Sequence, residues 1–129
     1  MKKVMIFGVF DGAHASHEKL FHEARIEGDY LIAVVAQDHI VNHLYGSLPR
    51  VNFTERFEEL KKMDAVDEVV IGSNGPSLIG LVRRYALDVV VFAANQKLLK
   101  EDFMRELPRL GRRPIIRDLE NSEENNNHA

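Results

Sequence analysis

The segment at residues 4–20, VMIFGVFDGAHASHEKL, constrains the fold more than any other part of the chain. Residues 4–7 form a short apolar run flanked by charge, as expected for a buried strand. Gly8 and Gly12 bracket a turn in which the missing Cβ atoms allow unusual dihedral angles and close approach of a ligand. A helix is predicted from about Ser16, and its free N–H groups point back at the turn. The segment therefore predicts a β–turn–α unit with a natural pocket for phosphate.

Two histidines, His14 and His17, lie three residues apart at the mouth of this predicted pocket. Each imidazole can donate a hydrogen bond to a phosphoryl oxygen, although histidines in this position also cap helices or pack at a surface. Asp11 can either order a loop by accepting backbone N–H bonds or contribute an oxygen to Mg²⁺. Phe10 is predicted to pack in the core and to anchor the turn under the sheet. The pattern indicates chemistry on a phosphate group.

Composition narrows the class of protein. At 129 residues the chain is long enough for one domain, and 45% hydrophobic with 29% charged residues is typical of an ordinary globular protein. A formal net charge of -3 gives no electrostatic reason to expect nucleic-acid or membrane binding. No apolar run approaches the roughly 20 residues that cross a bilayer, and the N-terminus lacks a signal-peptide pattern. The absence of cysteine excludes disulfides and fits a cytoplasmic location.

Apolar runs alternate with helical patterns along the chain, which predicts an α/β fold with a parallel sheet. The predicted strands are 4–7, 30–36, 68–71, 88–94 and an edge strand at 114–117. The predicted helices are 18–27, 37–45, 77–85 and 98–110, with one more that Asn52 caps and in which Glu55 takes the third position. We expect a Rossmann-like three-layer α/β/α sandwich with a five-stranded parallel sheet at 1–119, followed by a disordered polar tail at 120–129.

Three details of this prediction bear on boundaries and on the site. Gly28 is expected to end the first helix in the usual C-terminal position. Pro108 should end or distort the last helix. In parallel α/β sheets, ligands bind beyond the carboxyl ends of the strands at the topological switch point. The strand exits at 8–14, 36–38 and 93–96 are expected to converge there.

The first β–turn–α segment resembles the signature of the cytidylyltransferase-like nucleotidyltransferases, G-x-F-D-x-x-H-x-G-H. The matching residues are Gly8, Phe10, Asp11, His14 and His17, with Ser16 where the family has glycine. The resemblance extends to roughly Arg117. In size and segment order the chain is similar to the glycerol-3-phosphate cytidylyltransferases and the archaeal-type FAD synthases.

The resemblance implies an enzyme that transfers a CMP or AMP unit from an NTP to a small phosphorylated acceptor and releases pyrophosphate. The acceptor would be FMN or a compound like glycerol 3-phosphate, Mg²⁺ the cofactor, and a homodimer the assembly. The implied catalytic residues are His14, His17 and Arg56. The implied nucleotide-binding residues are Gly8, Val9, Phe10, Asp11, Ser16, Arg50, Asn95 and Gln96. Arg56 would bind a β- or γ-phosphate, and the alternative is an exposed helix arginine paired with Glu55 or Glu59.

The chain departs from the family pattern at several positions. Tyr45 and Ser47 occupy the places where members carry lysines, which leaves Arg50 as the only formal charge of that loop. After the fourth strand, Ala93 and Asn95 replace a glycine and an aspartate of the G-x-D-Q motif. The Ser/Thr-rich helix start that follows the last strand in the family is not recognisable. These changes keep open two alternatives: a catalytically impaired nucleotide-binding or protein-interaction module, and an enzyme for an unusual phosphorylated substrate.

Two further motifs are weaker indicators of a binding site. His39 and His43 have the four-residue spacing of zinc ligands on one helix face, but no third ligand is in view, so no metal site is predicted. The GSNGP loop at 72–76 lacks the lysine of a phosphate-binding P-loop and is predicted to be a turn.

Overall fold

A computed structural model describes residues 1–12, 15–72, 79–93, 97–111 and 113–119. The strands in these ranges are β1 (Lys3–Gly8), β2 (Tyr30–Val35), β3 (Glu68–Ile71), β4 (Val89–Ala93) and β5 (Ile115–Leu119). The helices are α1 (Ala15–Arg25), α2 (Asp38–Tyr45), α3 (Phe53–Leu60), α4 (Ile79–Tyr85) and α5 (Lys97–Glu106), followed by a 3₁₀ turn at Leu107–Arg109. Most of the GSNGP loop and the predicted polar tail lie outside the described residues.

All five strands are parallel and form one sheet in the order β3-β2-β1-β4-β5. Gly8 at the end of β1 pairs with Val35 of β2, and Ile6 of β1 pairs with Val91 of β4. Since β1 has β2 on one side and β4 on the other, the strand order reverses at β1, which is the topological switch point. The Rossmann-like parallel sheet is confirmed, and β5 is an edge strand as predicted.

The sheet is packed on both faces because successive side chains of each buried strand point to opposite sides. On β1, Met5 and Phe7 belong to one cluster with residues of α4 and α5, whereas Val4 and Ile6 belong to a second cluster with residues of α1 and α3. The first cluster includes three phenylalanine rings whose centroids lie 5.6 to 6.0 Å apart, those of Phe7, Phe92 and Phe103. Helices on both faces of one sheet give the predicted three layers.

Aspartate side chains satisfy backbone donors at the amino-terminal edge of the sheet. Their carboxylates accept hydrogen bonds from backbone N–H groups at or next to the first residues of neighbouring strands. Asp29, Asp67 and Asp88 bond in this way to Lys2, Leu31 and Lys3 at 2.8, 2.8 and 2.9 Å. These charge-assisted bonds fix where the strands start, at the edge opposite the strand exits.

The predicted role of Gly28 as the residue that ends the first helix is wrong. Helix α1 ends at Arg25, and the φ of Gly28 lies outside the left-handed region. Gly28 is required for close packing instead, because an added Cβ would lie 2.7 Å from the carbonyl oxygen of Lys2 and 2.6 Å from Val4 Cγ2. The connection from α1 to β2 therefore packs against β1 and leaves no space for a side chain at position 28.

Two other helix boundaries match the sequence. The side chain of Asn52 accepts a hydrogen bond from the backbone N–H of Glu55 at 2.9 Å, as expected for the cap of α3. Helix α5 ends at Glu106, and the chain continues as a 3₁₀ turn that contains Pro108. No helix within the described ranges combines the length and apolar character needed to cross a membrane.

Candidate active site

The candidate site is built where β1 and β2 end and α3 begins. The backbone N–H of Ala36 donates to the carbonyl of Gly8 at 3.0 Å, so the two strand exits stay paired to their last residues. Beyond Gly8 the chain turns through Val9 and Phe10 to Gly12, whose φ of 90° lies in the left-handed region that favours glycine. The exits of two neighbouring parallel strands thus open on the same side of the sheet, next to α1.

Asp11 ties this turn to the loop that precedes α3. Its side chain is buried, and its two carboxylate oxygens accept hydrogen bonds from the backbone N–H groups of Arg50 and Val51, both at 2.8 Å. Asp11 accepts backbone N–H bonds as predicted, but the prediction concerned the turn that contains Asp11, whereas these bonds order the loop before α3, which lies 39 residues further along the chain. Each carboxylate oxygen already has an amide donor, which disfavours the alternative of a Mg²⁺ ligand.

Arg50 presents a positive charge at the rim of the site. Its backbone is fixed by Asp11, and its Nη2 lies 3.3 Å from the carbonyl oxygen of Asp11. The side chain itself is 77% exposed, so its remaining N–H groups face solvent. An arginine with a fixed backbone and an accessible guanidinium is able to meet an incoming phosphate.

Arg56, in contrast, is enclosed by the protein. Its guanidinium donates from Nε to the carbonyl of Val51 at 2.9 Å, from Nη1 to the carbonyl of Val9 at 2.7 Å, and from Nη2 to Asp38 Oδ1 at 2.7 Å. The side chain has no exposed area, so the alternative of an exposed arginine paired with Glu55 or Glu59 is wrong. A phosphate could reach this guanidinium only after a rearrangement, and the predicted phosphate contact stays a prediction.

Asp38 is a site residue that sequence reasoning missed. It stands in the first turn of α2 and is partly exposed, and its second carboxylate oxygen accepts a hydrogen bond from the backbone N–H of Phe53 at 3.3 Å. Asp38 therefore joins the exit of β2 to the first residue of α3. The available signal was its place in the strand exit at 36–38, which the parallel sheet brings to the switch point.

Phe10 and His17 pack together beneath the turn. Phe10 is buried with a positive φ of 53°, and its ring lies 5.0 Å from that of Phe21. The predicted core position of Phe10 is confirmed. His17 is also buried, and its imidazole meets the Phe10 ring edge-on at a centroid distance of 5.9 Å and an interplanar angle of 86°. The Phe10 ring thus packs against one side of the His17 imidazole.

Tyr45, the last residue of α2, contributes packing to the site. It contacts a small apolar cluster of Val9, Ala36 and Val41 at the ends of β1 and β2. Burial raises the pKa of the Tyr45 phenol from 10.0 to about 12, because the charged form is disfavoured away from water. The side chain is therefore neutral at physiological pH and supplies no cation to the site, as the sequence predicted.

The structure gathers part of the predicted site at one place. The predicted residues that lie together are Gly8, Val9, Phe10, Asp11, His17, Arg50 and Arg56. His14, Asn95 and Gln96 and the side chain of Ser16 lie outside the described residues. His39 and His43 are exposed on α2, and within the described part of the chain no three His, Cys, Asp or Glu side chains are grouped to hold a metal.

Comparison with known proteins identifies the class of protein to which this fold and site belong. The cytidylyltransferase-like family model matches residues 5–121, so the chain belongs to the cytidylyltransferase-like family. Its class is that of the nucleotidyltransferase enzymes, as the resemblance of the first segment implied.

Particular relatives add detail. The FAD synthase of Pyrococcus horikoshii is 37% identical over 109 residues, which are 84% of this chain and 74% of that protein. The FAD synthase of Thermococcus onnurineus is 34% identical over 109 residues and covers 84% of this chain and 73% of the relative. Among solved structures, the lipopolysaccharide core biosynthesis protein of Thermoplasma volcanium is 25% identical, with a TM-score of 0.84 over 95% of this chain and 99% of its own.

Proposed function

We propose that the chain is an FMN adenylyltransferase, which transfers AMP from ATP to FMN and releases pyrophosphate. One observation carries this choice over the other family reactions: several relatives named FAD synthase align over most of the chain, with up to 37% identity. The clustering of Asp11, His17, Arg50 and Arg56 at the switch point supports a nucleotide site at the position where such folds bind nucleotides.

In the proposed reaction, an oxygen of the FMN phosphate attacks the α-phosphorus of ATP, the bond to the β-phosphate breaks, and pyrophosphate leaves with the electron pair. The attacking oxygen is already anionic, so no strong general base is needed. The protein must hold two anions in line and stabilise charge on the transferred and leaving phosphates. His14, His17 and the N–H groups that begin α1 are the proposed donors, and Arg50 is the proposed cation at the rim. His17 is fully buried, so its imidazole, like the guanidinium of Arg56, would meet a phosphate only after a rearrangement.

Magnesium is the proposed cofactor, and it would arrive on the ATP. Asp11, the carboxylate that the sequence offered, has both oxygens bonded to backbone amides. The described residues contain no group of three His, Cys, Asp or Glu side chains that could hold a metal ion. Mg²⁺ commonly binds through substrate phosphates and waters with few protein ligands, which agrees with such a site.

The direct test is to incubate the purified protein with MgATP and FMN and to measure FAD by chromatography and pyrophosphate by a coupled assay. We expect FAD formation with ATP, and at least about a hundredfold loss in His14→Ala, because a transition-state donor is removed. The matched control is His22→Ala on α1, an exposed histidine outside the site, which should retain wild-type turnover. Faster transfer of CMP to glycerol 3-phosphate than of AMP to FMN would contradict the assignment.

A second candidate function is a nucleotide-binding module without turnover. Tyr45 favours it, because this packed, neutral side chain stands where the resemblance places a lysine. Calorimetry separates the two functions, since binding of ATP without formation of FAD or pyrophosphate would support the module. The homodimer implied by the resemblance also stays a proposal, and light scattering coupled to gel filtration measures it.

A further inference from the structure

The side chains of Asp38, Arg56 and Asp11 form a closed polar network across three parts of the chain. Arg56 bonds to the carbonyl oxygens of Val9 and Val51 and to Asp38, while Val51 also donates its N–H to Asp11. The network therefore holds the end of β1, the start of α2 and the start of α3 in one fixed arrangement. Charge-assisted bonds of 2.7 Å at a buried guanidinium are among the strong hydrogen bonds of proteins.

The contact of Arg56 with the Val9 carbonyl has a consequence for Phe10. That carbonyl belongs to the same planar peptide unit as the N–H of Phe10, so fixing the oxygen fixes the orientation at which the chain enters Phe10. Phe10 has a φ of 53°, a conformation that non-glycine residues adopt only when the surroundings enforce it. The bond of 2.7 Å from Arg56 Nη1 is such an enforcing contact.

Phe10 in turn contacts His17. Its ring stands edge-on to the imidazole, and both rings are buried. Densely packed rings transmit small displacements, because the interior has little free space to absorb them. A shift of the Val9 peptide would therefore move the Phe10 ring and change the orientation of His17.

We propose that Asp38 is a positioning residue for His17, acting through Arg56, the Val9 peptide and the Phe10 ring. The carboxylate of Asp38 orients the guanidinium, and the guanidinium holds the turn in the conformation that fixes the orientation of the buried imidazole. This inference rests on the proposed function only for its activity readout.

The test uses Asp38→Asn, which keeps the side-chain shape and removes the charge. With isotope-labelled histidine, we expect the His17 ring resonances, assigned with His17→Gln, to shift in this variant. We expect kcat for FAD formation to fall about tenfold or more, because small misplacement of a catalytic group is costly, while KM for ATP changes less than about threefold. Asp38→Glu, which restores the carboxylate, should recover part of the loss in kcat.

The matched control is Asp67→Asn, at the amino-terminal edge of the sheet and away from the strand exits. Asp67 also accepts a backbone N–H, from Leu31 at 2.8 Å, and pairs with an arginine, Arg25 at 3.0 Å. Its side chain is 30% exposed, against 38% for Asp38. A general loss of stability would affect both variants, whereas the shift of His17 and the fall in kcat should occur only at Asp38.

The inference is overturned if Asp38→Asn leaves the His17 resonances and kcat as unchanged as Asp67→Asn does. If the wild-type protein forms no FAD, the proposed function fails, and the resonances still decide the role of Asp38. If Asp38→Asn does not fold, Arg56→Lys provides the second variant. It retains the positive charge without the guanidinium fork, and it must shift the His17 resonances for the inference to stand.

Discussion

A buried arginine is tolerated only when its donors meet acceptors, because an unpaired charge away from water is costly. Arg56 meets this condition with two backbone carbonyls and the Asp38 carboxylate. The other arginine of the site, Arg50, keeps its side chain in solvent. The two arginines thus differ in role, since Arg56 organises the strand exits and Arg50 presents an exposed positive charge at the rim of the site.

The type of hydrogen bond that Asp11 makes could be predicted from the sequence, because an aspartate in a glycine-containing turn accepts backbone N–H bonds. Its partners, the N–H groups of Arg50 and Val51, could not be predicted, because they lie 39 and 40 residues away. The burial of Arg56 was not predictable in the same way, because its partners Val9 and Asp38 lie 47 and 18 residues away. Helix periodicity places an arginine on a helix without showing what the fold brings against it.

At the residue scale, the raised pKa of Tyr45 predicts a pH-dependent stability. The native phenol holds its proton to about pH 12, whereas the unfolded phenol loses it near pH 10. Between these values the unfolded state binds fewer protons, so the free energy of unfolding falls as pH rises. Relative to Tyr45→Phe, the wild-type protein should lose on the order of 1 kcal/mol per pH unit above about pH 10.

Urea unfolding at several pH values measures this difference. Phenylalanine keeps the ring that packs on Val9 and Ala36 and removes only the titrating group. Both proteins share the other tyrosines, so subtracting the two curves isolates Tyr45. Parallel curves from about pH 8 to pH 11 would show that the phenol is not buried in solution.

At the element scale, strand positions followed from apolar runs, and their ends agree with the prediction to within about two residues. Helix ends agreed where a cap or a proline defined them, as at Asn52 and Pro108. The end of α1 did not, because a glycine near a helix end has two explanations. The sequence shows a residue without Cβ, and only the packed structure shows whether φ or space requires it.

Gly28 and Gly80 make a matched pair for this distinction. Gly28→Ala should lower the free energy of unfolding by about 1–3 kcal/mol, because the new Cβ overlaps the Lys2 carbonyl and forces β1 and its neighbour to shift. Gly80 lies in α4, and among the described residues beyond its chain neighbours and its own helix backbone no atom lies within 4 Å of an added Cβ, so Gly80→Ala should raise the free energy of unfolding by about 0.5–1 kcal/mol. Thermal and urea unfolding of both variants measure the two signs. A Gly28→Ala variant as stable as Gly80→Ala would show that close packing does not limit the side chain at position 28.

At the scale of the whole molecule, alternation of strands and helices was sufficient to predict the parallel sheet and its layers. The order of the strands was not contained in that pattern, because each crossover can place the next strand on either side. The observed order puts β1 between β2 and β4 and leaves β3 and β5 at the edges. The buried strands therefore lie at the centre of the sheet, where β1 and β2 end at the candidate site.

The order predicts a gradient of hydrogen exchange. Backbone amides of β1 are bonded between two neighbours and packed on both faces, so they should exchange only through global unfolding. Edge strands lack a neighbour on one side, and the side chains of β3 and β5 are partly exposed. Their amides should exchange about tenfold faster or more under native conditions. Exchange mass spectrometry measures the gradient, and equal protection of β1 and β5 would contradict it.

The exposed Met1 precedes β1 at the edge of the sheet opposite the strand exits. A six-residue strand spans about 20 Å, so an affinity tag or a surface tether attached at this residue would stay far from the strand exits. If the protein is immobilised through Met1, its strand exits should face the solution and remain accessible in binding assays on a solid support.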